Sequence, residues 1–314
     1  MFFNERKTLQ CPIFFISNEV KTLQCNVSTV TQIYFCMSTH SQPLVSIVMA
    51  AYNAEKYIGE AIQSVLAQTH PHWELLITDD GSTDGTANII KTFLSDSRIH
   101  YFFQPNAGVS AARNRAFRQM QGDFFLIFDA DDVLTPDSLE LRLRLFETNP
   151  NLYFVDGQVI RTTDTKNVAG SEVRTPNFKG NPQAALMCLD MRCFSVPCWL
   201  IRRLPSQAYE MEVGMTHCED ILFYIALSEH PAYLYDSVPQ VILYYRLHAQ
   251  MAMTKLDKLE QGYKDFYMLL KKRYAPKWSI IWYLKYKIIR IMFLSYLRKG
   301  EIGKALRTVW NVFL

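Results

Sequence analysis

Nowhere in this chain do about 18 apolar residues run together without a charge, so no transmembrane helix is expected. Cysteine is sparse and odd in number: seven, at 11, 25, 36, 188, 193, 198 and 218, with no Cys-x-x-Cys pair. That spacing argues against a disulfide framework or a structural zinc and fits reduced thiols in a cytosolic protein. The opening residues lack the basic start, apolar middle and small-residue cleavage site of a secretory signal. Charged residues make up only 20% of the 314 and hydrophobic ones 49%, which excludes a disordered polar chain. The length suits one large α/β domain with appendages, or two small domains.

Acidic residues are nearly missing from the end of the chain. From Lys271 to Leu314 there are eleven Lys or Arg against one acid, Glu301. That segment carries +10, and with +3 overall the remainder carries −7. A basic tail on an acidic body points to an anionic surface as partner. A membrane suits it better than nucleic acid, because the acidic body would repel a duplex.

The start of the chain has little periodicity of any kind. Lys7-Thr8-Leu9-Gln10-Cys11 recurs as Lys21-Thr22-Leu23-Gln24-Cys25, but two copies do not make a repeat architecture. Residues 1–36 are read as a leader, either disordered or non-native, translated from upstream sequence with Met37 as the natural start.

From Leu44 the pattern becomes regular. Leu44–Met49 reads as a buried strand and Ala54–Thr69 as a helix, with apolar residues at 57, 58, 61, 62, 65 and 66. Strands follow at Trp73–Thr78, Ile99–Phe103 and Phe124–Phe128, alternating with helices at Thr86–Leu94 and Ser110–Met120. The alternation predicts parallel βαβ units, which bind ligands at the carboxyl ends of their strands. After Pro150 it loosens into short strands and helices among prolines at 176, 182, 197, 205, 231 and 239, and from Lys255 the chain reads as helical.

The residues that carry chemistry sit at those strand ends. Asp79–Thr86 (DDGSTDGT) offers acids to a base or sugar edge, or makes an ordinary turn with Ser82 or Asp84 capping the next helix. Phe124–Phe128 delivers Asp129-Ala130-Asp131-Asp132, three carboxylates that repel one another unless a cation sits among them. Such an oxygen cluster suits Mg²⁺ or Mn²⁺ bound with substrate phosphates; a solvated turn is the plain alternative. Asn106–Asn114 contributes Gly108 to turn, Ser110 to cap and Arg113 in the first helical turn. Glu219-Asp220 opens a helix, and Tyr245-Arg246-Leu247-His248 follows an apolar strand. Acids at a helix start are commonly dipole partners, and a single His is commonly structural.

Taken in order, the segments Val45–Asn53, Ala61–Thr69, Asp79–Thr86, Gly108–Asn114 and Asp129–Asp132 resemble family 2 glycosyltransferases, with a looser match through Glu219-Asp220 to His248. The resemblance implies a GT-A fold: an α/β, Rossmann-like, mostly parallel sheet flanked by helices, here with a C-terminal helical extension. It implies a nucleotide-sugar-binding half at 37–150 and an acceptor-binding half at 151–254; the basic aromatic helical extension read at 255–314 lies beyond it. Ala50, Ala51, Tyr52 and Asn53 should flank the nucleotide, with Ala50 where the family usually has Pro or Thr. Asp80 should accept a hydrogen bond from the base, and Arg113 should lie beside the nucleotide. Asp129, Ala130, Asp131 and Asp132 correspond to the ribose and metal motif, the division of roles among the three acids left open, with Asp131, Asp132 and His248 as the expected metal ligands. Asp220 resembles the general base, His248 the residue that approaches the metal or diphosphate, and Arg246 a group near the leaving group.

The expected reaction is transfer of a sugar, with inversion, from a UDP-linked donor to an acceptor hydroxyl. Mn²⁺ or Mg²⁺ is the expected cofactor, and a bacterial surface polysaccharide or lipopolysaccharide the expected product. The expected partners are the donor, a glycan or lipid-linked acceptor and an anionic membrane surface; a homodimer is allowed, and nucleic acid is not expected. The protein would work in the cytoplasm, peripheral on the inner face of the cell membrane. Two other readings are an Asp-x-Asp phosphatase, which leaves residues 45–86 unexplained, and a binding protein that kept the fold without catalysis.

Overall fold

A computed structural model describes residues 42–193, 196–249 and 255–311. Strands β1 (Val45–Ala51), β2 (Trp73–Asp79), β3 (Ile99–Phe103) and β4 (Phe124–Ile127) form a parallel array in the order β3-β2-β1-β4. In β2 and β4 every residue is buried, as in a sheet covered on both faces. Their register fixes the site. Ala51 lies opposite Asp79, and Val48 opposite Ile127, so residues 50–53, 79–82 and 128–132 all leave the sheet at one edge.

Helices α1 (Ile58–Leu66), α2 (Thr86–Lys91) and α3 (Val109–Phe117) are the crossovers between these strands. In α1, Ile58, Ala61, Ile62 and Val65 are buried, the spacing read from sequence. The helix starts four residues later than Ala54 because that turn is spent elsewhere. The N–H of Ala54 donates to Thr86 Oγ1 (2.7 Å) and that of Glu55 to Asp84 Oδ2 (3.2 Å).

Past Leu134 the sheet becomes mixed. With β5 (Val133–Leu134), β6 (Leu152–Thr162), β7 (Glu172–Arg174), β8 (Leu200–Arg202) and β9 (Leu234–Arg246), it continues β4-β8-β6-β9-β5, and β7 lies beside β6. Short strands were expected here, yet β6 has 11 residues and β9 has 13. Pro239 disguised β9, since proline cannot donate to a central ladder. The pairing jumps from Asp156–Ser237 to Gln158–Val241, so Pro239 falls in the skipped stretch. Gly157 stands opposite that irregularity, where a Cβ would meet Ile242 Cγ2 at 2.6 Å.

Three more helices pack on the body, α4 (Ser138–Thr148), α5 (Gln183–Met187) and α6 (Glu219–Leu227). The tail then forms α7 (Leu256–Tyr274), α8 (Trp278–Arg298) and α9 (Ile302–Asn311). Its apolar stripe at Ile281, Leu284, Ile288, Met292 and Tyr296 is buried and joins the cluster of Phe125, Phe154, Trp199, Phe223 and Phe266. The helical extension is therefore part of the main core.

Asp156 lies wholly buried in β6, where Tyr235 donates to it at 3.1 Å. Burial pushes its carboxyl up to about 7 against the opposing pull of the Gly157 N–H and Arg142. The folded pKa is raised, so this group's stability is intact below the unfolded value near 3.8 and is lost as pH rises toward 7. The expected result is that Asp156→Asn loses less thermal stability than the parent between pH 4 and pH 8. Melting curves across that range check it; parallel curves for the two proteins would contradict it.

Candidate active site

The site is built first by Asn53, whose positive φ of 49° is one that asparagine tolerates better than most residues. From there its N–H donates to Ser82 Oγ (3.0 Å) while its Oδ1 accepts from the Thr83 N–H (2.9 Å). These bonds fold the 79–86 loop back over the end of β1. Gly81 is required at its bend: φ is +76°, and a Cβ would lie 2.8 Å from Asn106 N.

Asp80 is buried beneath this loop. Its carboxylate accepts from Gln104 Nε2 (2.8 Å), the Ala107 N–H (2.9 Å) and the Gly108 N–H (2.8 Å). Three of its roughly four lone-pair sites are thus used to shape the 104–108 loop. Ala50, Ala51, Tyr52, Asp80, Asn106, Gly108 and Val109 line a cavity of about 200 Å³, in which Tyr52 is exposed.

At the end of β4, one carboxylate oxygen each from Asp129, Asp131 and Asp132 lies within 4.8 Å of the others. Each acid also spends an oxygen on a protein donor. Asp129 Oδ1 accepts from Arg113 (2.6 Å), Asp132 Oδ1 from the Arg246 N–H (2.9 Å), and Asp131 Oδ2 lies 2.7 Å from His248 Nε2. Burial and the neighbouring carboxylates push the carboxyls of Asp131 and Asp132 upward, Asp132 the further. A divalent cation fits here: hard oxygen donors converge, and mutual repulsion resists their ionisation without one. Ala130, between Asp129 and Asp131 in sequence, is buried.

Arg246 lies between the acid cluster and the first turn of α1. Its guanidinium donates to the Asp131 carbonyl (2.8 Å) and Glu60 Oε2 (2.7 Å) and sits 4.8 Å from the centre of the Tyr57 ring. His248 lies one hydrogen bond outside the acid cluster, its ring 5.0 Å from that of Tyr57. Arg113 is buried and bridges two acids, donating to Asp129 and, more weakly, to Glu219 Oε1 (3.4 Å). That bridge brings the first turn of α6 to the strand ends and so gathers Asp220 into the site. Glu219 is tethered, whereas half-buried Asp220 accepts from the Ile221 N–H (2.6 Å). Burial, then the charge of Glu219, pushes the Asp220 carboxyl up to about 7 despite Arg113.

The sequence missed Glu60, Tyr57 and Gln104. Glu60 reads as a surface acid in the first turn of a helix, and only its distance from Arg246 reveals its use. Ser110 does not cap α3; it lies buried inside the helix, and the N-terminal cap is Gly108, with φ of 93°. A larger cavity of about 430 Å³ runs along the α6 face that follows Glu219, lined by Met211, Glu212, Leu222, Phe223, Ala226 and Arg273 among others.

Comparison with known proteins agrees with this architecture. Residues 46–209 match the pattern of Glycosyl transferase family 2, and the chain belongs to that family. A Bacillus subtilis (strain 168) protein named as a teichuronic acid biosynthesis glycosyltransferase, TuaG, is 44% identical over 107 residues, 33% of this chain and 42% of that one. An Escherichia coli protein named UDP-Glc:alpha-D-GlcNAc-diphosphoundecaprenol beta-1,3-glucosyltransferase WfgD is 42% identical over 115 residues, 36% of this chain and 45% of that one. The chain thus spans somewhat less than half the length of both relatives. The solved structure of S. aureus TarS 1-349 in complex with UDP-GlcNAc superposes with a TM-score of 0.62 at 17% identity, over 84% of this chain and 80% of that one. The fold is accordingly the GT-A fold expected from sequence, and an Asp-x-Asp phosphatase no longer fits.

Proposed function

We propose that this chain transfers a sugar, with inversion, from a UDP-linked donor to an acceptor hydroxyl in the synthesis of a bacterial surface polysaccharide or lipopolysaccharide. One observation carries the reading: Arg113 ties Glu219 to Asp129, so the acid cluster and Asp220 share one strand-end site. The cavity holding Tyr52 and Asp80 leaves from the same edge of the sheet. A flat base can lie against the exposed Tyr52 ring, with the remaining acceptor capacity of Asp80 beside it.

Asp131 and Asp132 would hold Mn²⁺ or Mg²⁺, and such an ion supplies charge neutralisation for a departing diphosphate. Asp129, held by Arg113 at 2.6 Å, would accept from the ribose. Asp220 takes the proton of the acceptor hydroxyl as that oxygen attacks the anomeric carbon, and the bond to the diphosphate breaks on the opposite face. A single base with no separate nucleophile gives inversion. Acceptors would approach along the cavity beside α6. Relatives named for UDP-Glc transfer and teichuronic acid biosynthesis support the donor and product classes.

A panel of UDP-, GDP- and CMP-linked sugars tests this, read by thermal shift with and without Mn²⁺ and by nucleotide release. A UDP-sugar should raise the melting temperature only when Mn²⁺ is present, and a hydroxyl acceptor should speed release of UDP. Failure of every nucleotide-sugar to shift the melt would end the proposal. Binding without release would favour a catalytically silent protein.

A further inference from the structure

The tail helices bury one face in the core and present another to solvent with an unusual composition. On α8, Trp278 is 71% exposed and Tyr286 62%, and Trp282 and Tyr283 are also exposed. On α9, Ile302, Leu306 and Val309 stand exposed at i, i+4 and i+7, an apolar stripe turned away from the body. Lys271, Lys272, Lys277, Arg290 and Arg298 are exposed on the same segment, which has a single acid, Glu301. Among the described residues no helix is long and apolar enough to cross a membrane.

We infer that the exposed faces of α8 and α9 form a docking surface for an anionic lipid bilayer. Trp and Tyr rings favour the headgroup level, where an apolar body and a polar tip are both satisfied. Lys and Arg beside them add attraction to acidic headgroups, so the helices lie in the interface rather than span it. Charge selects lipid over a second copy of this chain. Two such faces brought together would set one +10 segment against another, whereas anionic lipid neutralises it.

The surface also begins close to the cavity beside α6. Arg273 lines the 430 Å³ cavity beside α6, and Trp278 begins the docking face five residues later, at most about 18 Å away along the chain. An acceptor held in the bilayer by a lipid would therefore meet the cavity next to the surface that carries it. That last link rests on the proposed glycosyl transfer; vesicle binding does not, so the two fail separately.

Truncating α8 would strip Ile281, Leu284 and Ile288 from the core, so the test uses the full chain and exposed positions. Co-sedimentation with vesicles of phosphatidylcholine alone is compared with vesicles in which about one third is phosphatidylglycerol. Binding should require phosphatidylglycerol, weaken as salt is raised, and shift the emission of the exposed Trp278 and Trp282 to the blue. A W278A/W282A/Y286A variant should lose roughly tenfold or more in partitioning, with the circular dichroism and melting temperature of the parent. Equal partitioning to both vesicle types, or unchanged binding by the variant, would overturn the inference. So would a concentration-dependent dimer that the variant dissolves in the absence of any vesicle binding.

Discussion

Asp220→Asn is expected to leave donor binding intact and lower kcat by about 10²–10⁴-fold, the share general-base catalysis commonly supplies. The amide keeps the shape of the carboxylate and its bond from the Ile221 N–H, so the start of α6 should hold. What disappears is the capacity to take a proton. Because burial and the charge of Glu219 push the Asp220 carboxyl up to about 7, it is ionised and able to take a proton above that pH and protonated below it. In the parent, kcat/KM should rise with pH through about 7, and the residual activity of the variant should lack that limb. Glu219→Gln supplies the control. Removing its charge should ease the Asp220 carboxyl downward and move the limb to lower pH, while Arg113 keeps its bond to Asp129. Should Glu219→Gln cost more turnover than Asp220→Asn, the base has been assigned to the wrong carboxylate.

The parallel half of the fold could be read from sequence because its signals are local. β3 falls at Ile99–Phe103 as the apolar run indicates, and β1, β2 and β4 end within two residues of their expected limits. The second half resisted because its strands are held by partners far along the chain. β6 pairs with β9 across about 80 residues, and a proline sits within the irregularity that lets the pairing continue. The same distinction divides the site. Asp129, Asp131 and Asp132 stand out because three acids end an apolar strand. Glu60 and Tyr57 do not, because their meaning lies in contacts with Arg246 and His248 that no short window contains. Arg113 fell between these cases. Its position pointed to the strand ends, but its burial and its hold on both Asp129 and Glu219 came only with the fold. The tail shows the limit of composition. Eleven cations suggested a surface, yet burial separates Ile281, Leu284 and Ile288, which serve the core, from Trp278, Trp282 and Tyr286, which do not.

The acid cluster should reveal its purpose through opposite effects on stability and activity. Asp131→Asn is expected to lower transfer by at least about 10²-fold, the scale of losing one preorganised electrostatic contact in an active site. The same change should raise the melting temperature of metal-free protein at neutral pH. Burial and the charge of Asp129 hold the Asp131 carboxyl above its ordinary value, so keeping it ionised costs the folded state free energy. That cost is absent below the unfolded pKa near 3.8 and grows as pH rises, so the variant's advantage should shrink on acidification. His248 opposes the shift from 2.7 Å but does not reverse it. Added Mn²⁺ should stabilise the parent by satisfying the repelled carboxylates and should stabilise the variant far less. A calorimetric titration with Mn²⁺, run beside an activity assay in excess chelator, reads both arms. A parent fully active in chelator would remove the metal from this site, and the stability gain of Asp131→Asn would then reflect only the relief of crowded acids. If the variant instead melted lower without metal, the Asp131–His248 bond would outweigh the repulsion, and the three carboxylates would be a structural network rather than a cation site.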